Sequence, residues 1–141
     1  MSRIPRSQEY LKTGFTAEAA SAARFRAHAA RAQRDGLPNL ARHWLELAAV
    51  KDALAILQLE AAGQVRGEGI DLDGAIAEER YENEILYPKL VRDADEEAAA
   101  VFRQVVEAQQ GHLTRLLALA GELQAAAGDV PAPAGASEVR A

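Results

Sequence analysis

Glu79 and Glu82 stand three residues apart in Glu79-Arg80-Tyr81-Glu82, and Tyr87-Pro88 follows five residues on. On a helix, residues three apart share one face. Ile76, Ala77, Ile85 and Leu86 flank the pair and mark the stretch as helix interior. Two acids among inward-leaning apolar residues must be paired, hydrogen-bonded or bound to a metal. Glu pairs at this spacing also occur on solvated faces, so their meaning depends on what the rest of the chain sets opposite them. Gln109 and His112, again three apart, are one such pair; Glu18 and Lys51 are another.

The bulk properties restrict the chemistry. The 141 residues suit one domain with a proper core. Hydrophobic residues make up 49% and aromatics only 5%, so the core is Ala, Leu and Val, which favours helices. There is no cysteine, which excludes disulfides, thiol catalysis, thiolate-bound zinc and iron–sulfur chemistry within the chain. A net charge of -5 argues against a nucleic-acid partner. No apolar run reaches membrane-spanning length, and Met1-Ser2-Arg3-Ile4-Pro5-Arg6 leads into no signal-peptide core, so a cytoplasmic location without membrane association is expected.

The elements that must position these residues are four helices. Residues 1–15 read as a flexible arm, with Thr16 as an N-cap and Glu18 in the first turn. The first helix runs to about Asp35 and stops at Gly36, which takes the left-handed cap. Pro38 opens the second, which continues to about Ala62 before Gly63. Leu40, Trp44, Leu47, Lys51, Leu54 and Gln58 form its inward stripe at helical spacing. A linker with Gly67 and Gly69 leads to a third helix from Asp71 or Asp73 to about Arg92, kinked by Pro88. Asp93-Ala94-Asp95 restarts the chain into a fourth helix ending near Ala127. Residues 128–141, rich in Pro and Ala, read as a disordered tail.

Short connections within each pair imply two antiparallel hairpins, and so an all-α, ferritin-like four-helix bundle over residues 16–127. Counting from the turns fixes the register. Glu18, Lys51 and Leu54 fall at one level of the first hairpin. Glu79 falls opposite His112, and Glu82 opposite Gln109, because both pairs are equidistant from Asp95-Glu96.

These residues resemble the diiron domain of rubrerythrins, within the ferritin-like superfamily, over roughly residues 16–120. Glu18 with Arg24-Phe25 looks like the first-helix Glu segment. Glu79-Arg80-Tyr81-Glu82 with Tyr87-Pro88 is similar to the third-helix signature, and Val101-Phe102-Arg103 through Glu107 to His112 resembles the fourth helix. The resemblance implies Glu18, Glu79, Glu82 and His112 as retained metal ligands, with Glu82 in the bridging place. It also exposes departures. Lys51-Asp52-Ala53-Leu54 stands where the second helix of the family has Glu-x-x-His. Gln109-Gln110-Gly111-His112 stands where the fourth has the same motif, and Phe25 replaces a tyrosine. Losing a Glu and a His from one helix removes most of one iron's shell, so one iron or other divalent ion per chain is expected in place of two.

Lys51 lies on the inward stripe, level with Glu18. Three carboxylates at one level repel one another unless a cation neutralises them, and an ammonium supplies part of that charge; the alternative is a lysine that snorkels to water. Gln109, Tyr81 and Tyr87 are expected to support the ligands. His28 and His43 oppose each other across the first turn and, with Glu46 three residues after His43, form a weaker candidate site, while Trp44 reads as core. The implied function is a metalloprotein handling oxygen or peroxide, a rubrerythrin-like oxidoreductase that takes electrons from an external donor and forms a homodimer. The alternative is a metal-free bundle, with Lys51 replacing the metal charge, that serves partner binding or assembly.

Overall fold

The computed structural model describes residues 5–125 and 128–134, and every regular element among them is helical. Helix α1 spans Pro5–Arg34 and α2 Pro38–Ala61. Helix α3 spans Glu68–Tyr81, a π-helical turn covers Glu82–Leu86, α4 covers Tyr87–Asp93, and α5 runs from Glu96 to Ala125. The chain divides into two compact units, Met1–Val65 and Arg66–Ala141. In the first, α1 packs on α2; in the second, α3, the π turn and α4 each pack on α5.

Alanine sets the closeness of the first pair. Ala41, Ala48, Ala55 and Ala62 recur every seven residues on α2 and its cap, and Ala22, Ala29 and Ala32 bury the matching side of α1, all at most 4% exposed. A seven-residue repeat keeps one stripe facing an antiparallel neighbour, and methyl side chains let the two backbones approach closely. Each buried methyl is worth only about 0.8 kcal/mol, so this seam fixes distance and register more than it stabilises. Trp44 covers its turn end, packing on Ala29, Ala32 and Ala41. Phe25 and His28 meet the same indole at ring-centroid distances of 5.1 Å and 4.9 Å.

Both glycine stops on α1 and α2 work as expected. Gly36 has φ 76° and Gly63 φ 70°. At each, the glycine N–H donates to a carbonyl three residues back (Gln33, Glu60) and the next N–H to one five back (Ala32, Leu59), the paired bonds of a Schellman cap. The turn between α1 and α2 is thereby held short.

The start of α1 differs from expectation. The helix begins at Pro5 and runs through Thr16, so residues 5–15 belong to the first helix, which was expected to start at Thr16; residues 1–4 lie outside the described residues. Thr16 does not cap: its hydroxyl donates to the Lys12 carbonyl one turn back, at 3.1 Å, the alternative use of a hydroxyl inside a helix. Proline at the first position needs no N–H partner, and the Gln8 amide reaches across to the Ala62 carbonyl, tying the extra turns to the end of α2.

The third helical segment also starts earlier, at Glu68. Asp71 sits inside its first turn and reaches back to the N–H groups of Arg66 and Gly67, at 3.0 Å and 3.2 Å. Pro88 is accommodated by the π turn before it. A proline clashes with the carbonyl four residues back, and the wider turn, closed by Tyr87 N–H to Glu82 C=O, relieves that crowding. Asp95 then caps α5 through the Ala98 N–H at 2.9 Å. That helix ends at Ala125; residues 126–127, and residues 135–141 of the expected tail, lie outside the described residues.

Candidate functional site

The residues singled out by charge and spacing lie in two groups, one in each hairpin. In the first, Lys51 Nζ stands 2.8 Å from Glu18 Oε2, with side chains 32% and 24% exposed. This is an ion pair of poor hydrogen-bond alignment, because Glu18 Oε2 is buried and has no hydrogen bond of acceptable angle. Lys51 reaches its partner from the seam-flanking stripe that also carries Trp44 and Gln58. One turn further along, a side chain at Gly14 would run into the Gln58 amide, 1.7 Å from its Oε1. The lysine thus keeps a carboxylate, and its head is only partly withdrawn from water.

In the second hairpin, the counted register is visible as contacts. Gln109 Nε2 donates to Glu82 Oε2 at 3.4 Å, and His112 Nδ1 lies 3.9 Å from Glu79 Oε1. Glu79 is well covered, at 18% exposed, whereas the imidazole is 63% exposed and beyond hydrogen-bond range. Tyr87 lies at the start of α4, with its ring 6.0 Å from that of Phe102 on α5; Tyr81 is exposed.

This group holds several polar atoms with neither a hydrogen bond nor an ion pair. Glu79 Oε2, Gln109 Oε1 and both Asn83 atoms, Oδ1 and Nδ2, are buried with no hydrogen bond. Each such group costs roughly 1–3 kcal/mol if nothing answers it. Asn83 escapes a reading based on charge and metal-ligand types, because a lone carboxamide is neither; its position four residues after Glu79 was the available signal. The Glu82 carboxyl is held above the usual carboxylate range, first by burial and then by the neighbouring Glu78 and Glu79 carboxylates, with the Gln109 hydrogen bond opposing. The π turn begins at this residue, and π turns inside α-helices are frequent at functional sites.

Carboxylate, imidazole and thiol groups do not by themselves complete a metal shell here: among the described residues no three of them are arranged to hold an ion. That includes His28, His43 and Glu46; His28 is engaged with the Trp44 ring instead, while His43 and Glu46 line an open polar groove with Asn39 and Arg42. A two-metal centre does not fit the first hairpin, where Lys51 occupies the carboxylate's neighbourhood. A single cation suits the second hairpin better, because the orphaned atoms there are mostly oxygen acceptors. No described helix is long and apolar enough to cross a membrane. In comparisons with known proteins, no family model, no curated protein and no solved structure matches this chain.

Proposed function

We propose that this chain is a rubrerythrin-like, ferritin-fold four-helix bundle whose central site is reduced from two metals to one divalent ion, iron or another, and that it handles oxygen or peroxide with electrons from an external donor. The observation that carries the reading is the set of buried, unanswered oxygens around Glu82, namely Glu79 Oε2, Gln109 Oε1 and Asn83 Oδ1. Three unanswered acceptors against one unanswered donor, Asn83 Nδ2, in a dry setting favour a cation. Glu79, Glu82 and His112 would hold the ion. Gln109 orients the Glu82 carboxylate through its amide N–H. Tyr87, packed on Phe102, and the exposed Tyr81 would be the tyrosines that support the ligands. A bound redox metal would supply electron transfer to oxygen or peroxide, which no side chain of this cysteine-free chain provides.

The test is metal content of untagged protein purified without chelators. About one divalent ion per chain is expected, lost in Glu82→Ala. Two tightly held irons per chain would show that Lys51 and Leu54 do not exclude the second metal.

One observation favours a second reading. The 2.8 Å approach of Lys51 to Glu18 neutralises a carboxylate without metal, as a metal-free bundle serving partner binding or assembly would require. Metal-free purified protein with a melting temperature unchanged by added divalent ions would establish it.

A further inference from the structure

We propose that the ion is held by the second hairpin alone, in a shell of oxygens that includes the carboxamides of Asn83 and Gln109, and that it is a hard divalent cation of the manganese or magnesium class. The proposal rests on the one-ion reading above and narrows it.

The first argument is charge. Lys51 and Glu18 form a neutral pair inside the first hairpin. In the second, Glu79 and Glu82 leave two negative charges, the complement of one divalent ion. Glu18 is answered by Lys51 and is not needed as a ligand.

The second argument is the inventory of donors and acceptors. Gln109 spends its N–H on Glu82, which leaves its own Oε1 buried and unanswered. Asn83 Oδ1 and Glu79 Oε2 are in the same condition. A carboxamide oxygen and a carboxylate oxygen only accept; the donors beside them are the carboxamide N–H groups, of which Asn83 Nδ2 is itself unanswered. A cation answers all three at once and leaves Asn83 Nδ2 to donate to a carboxylate of the same shell. Glu79 and Asn83 are four apart, and the π turn that packs on α5 carries both Glu82 and Asn83.

The third argument is ligand softness. Carboxylate and carboxamide oxygens suit magnesium, calcium and manganese, whereas zinc favours nitrogen and sulfur in a tetrahedron. The one nitrogen ligand on offer, His112, is largely exposed and 3.9 Å from Glu79. Zinc binds most sites more tightly than manganese in absolute terms, so the informative quantity is the dependence of manganese binding on Asn83.

The full chain, stripped of metal, is titrated with Mn2+ and free Mn2+ is read by electron paramagnetic resonance, with circular dichroism as the check on folding. Wild type is expected to bind one Mn2+, Asn83→Leu to weaken it by about tenfold or more, and the double variant Glu18→Gln with Lys51→Met to stay within about twofold of wild type. Asn83→Asp, which keeps shape and adds charge, is expected to tighten binding; if Asn83→Leu fails to fold, this variant decides, and a folded Asn83→Asp with unchanged affinity overturns the proposal. Undiminished Mn2+ binding by a folded Asn83→Leu protein, or its loss in the Glu18 and Lys51 variant, overturns the oxygen shell and leaves the one-ion reading in place. Uptake of neither Mn2+, Fe2+ nor Zn2+ by wild type overturns both.

Discussion

Lys51 is where charge and burial meet most plainly. Removing one partner from a fully buried ion pair costs about 3–5 kcal/mol, and an exposed pair is worth at most about 1. With both side chains roughly a quarter to a third exposed, Lys51→Met should destabilise the protein by about 1–2 kcal/mol, read as a lower midpoint in urea at unchanged slope. No change at all would mean that the ammonium is merely snorkelling. Glu82 carries the opposite kind of charge effect. Its carboxyl is raised, so the folded state binds the proton more tightly than the unfolded chain. Its contribution is therefore favourable at low pH and is lost as pH rises from the ordinary carboxylate range through the raised value. Metal-free Glu82→Gln should melt higher than metal-free wild type at pH 7, with the difference closing near about pH 4. A melt of both across that range checks the sign. Charged residues were legible from spacing alone. Asn83 was not, because its significance lies in hydrogen bonds that are missing.

At the scale of elements, the glycine stops and the capping aspartate were readable because each has a local cause: a left-handed backbone at Gly36 and Gly63, and a side chain bonded three residues on at Asp95. The start of α1 was not, because Thr16 has the same composition whether it caps a helix or bonds backwards inside one. The π turn was hidden as well. Pro88 announces a disturbance, but whether a helix kinks or widens depends on packing against α5. The glycines separate these effects experimentally. Gly36→Ala should cost about 1–2 kcal/mol, because the left-handed conformation is strained for any side chain. Gly74→Ala should stabilise by roughly 0.5–1 kcal/mol, since it lies inside α3 with nothing near its added methyl. Thermal melts showing both changes with the same sign would mean that the caps are not what holds the hairpin turns.

Across the molecule, the sequence conveyed that the chain is helical and that its helices pair as hairpins, through glycine stops; the seven-residue alanine repeat was not read, and Leu40, Leu47 and Leu54 of the expected inward stripe are exposed. The bundle arrangement rests on the resemblance and on what these hairpins leave uncovered. On α2 the seam buries only alanines, while Leu47, Val50, Ile56 and Leu57 are each more than half exposed, on several sides of the helix. A helix apolar on most sides belongs in an interior, so we expect more than one apolar surface to be covered in solution and the protein to be a homodimer. Light scattering at micromolar concentration should give twice the chain mass, and a monomer there would remove the dimer. The alanine seam has a consequence for the order in which the protein comes into being. Contacts across a short turn are local, and helical hairpins of this kind form in microseconds to milliseconds, whereas synthesis proceeds at about 5–20 residues per second. Residues 5–65 are therefore able to close their seam, and set Lys51 against Glu18, before Glu79 and Glu82 have emerged from the ribosome. The carboxylates of the second half are born into a molecule whose first half has already settled its own charge.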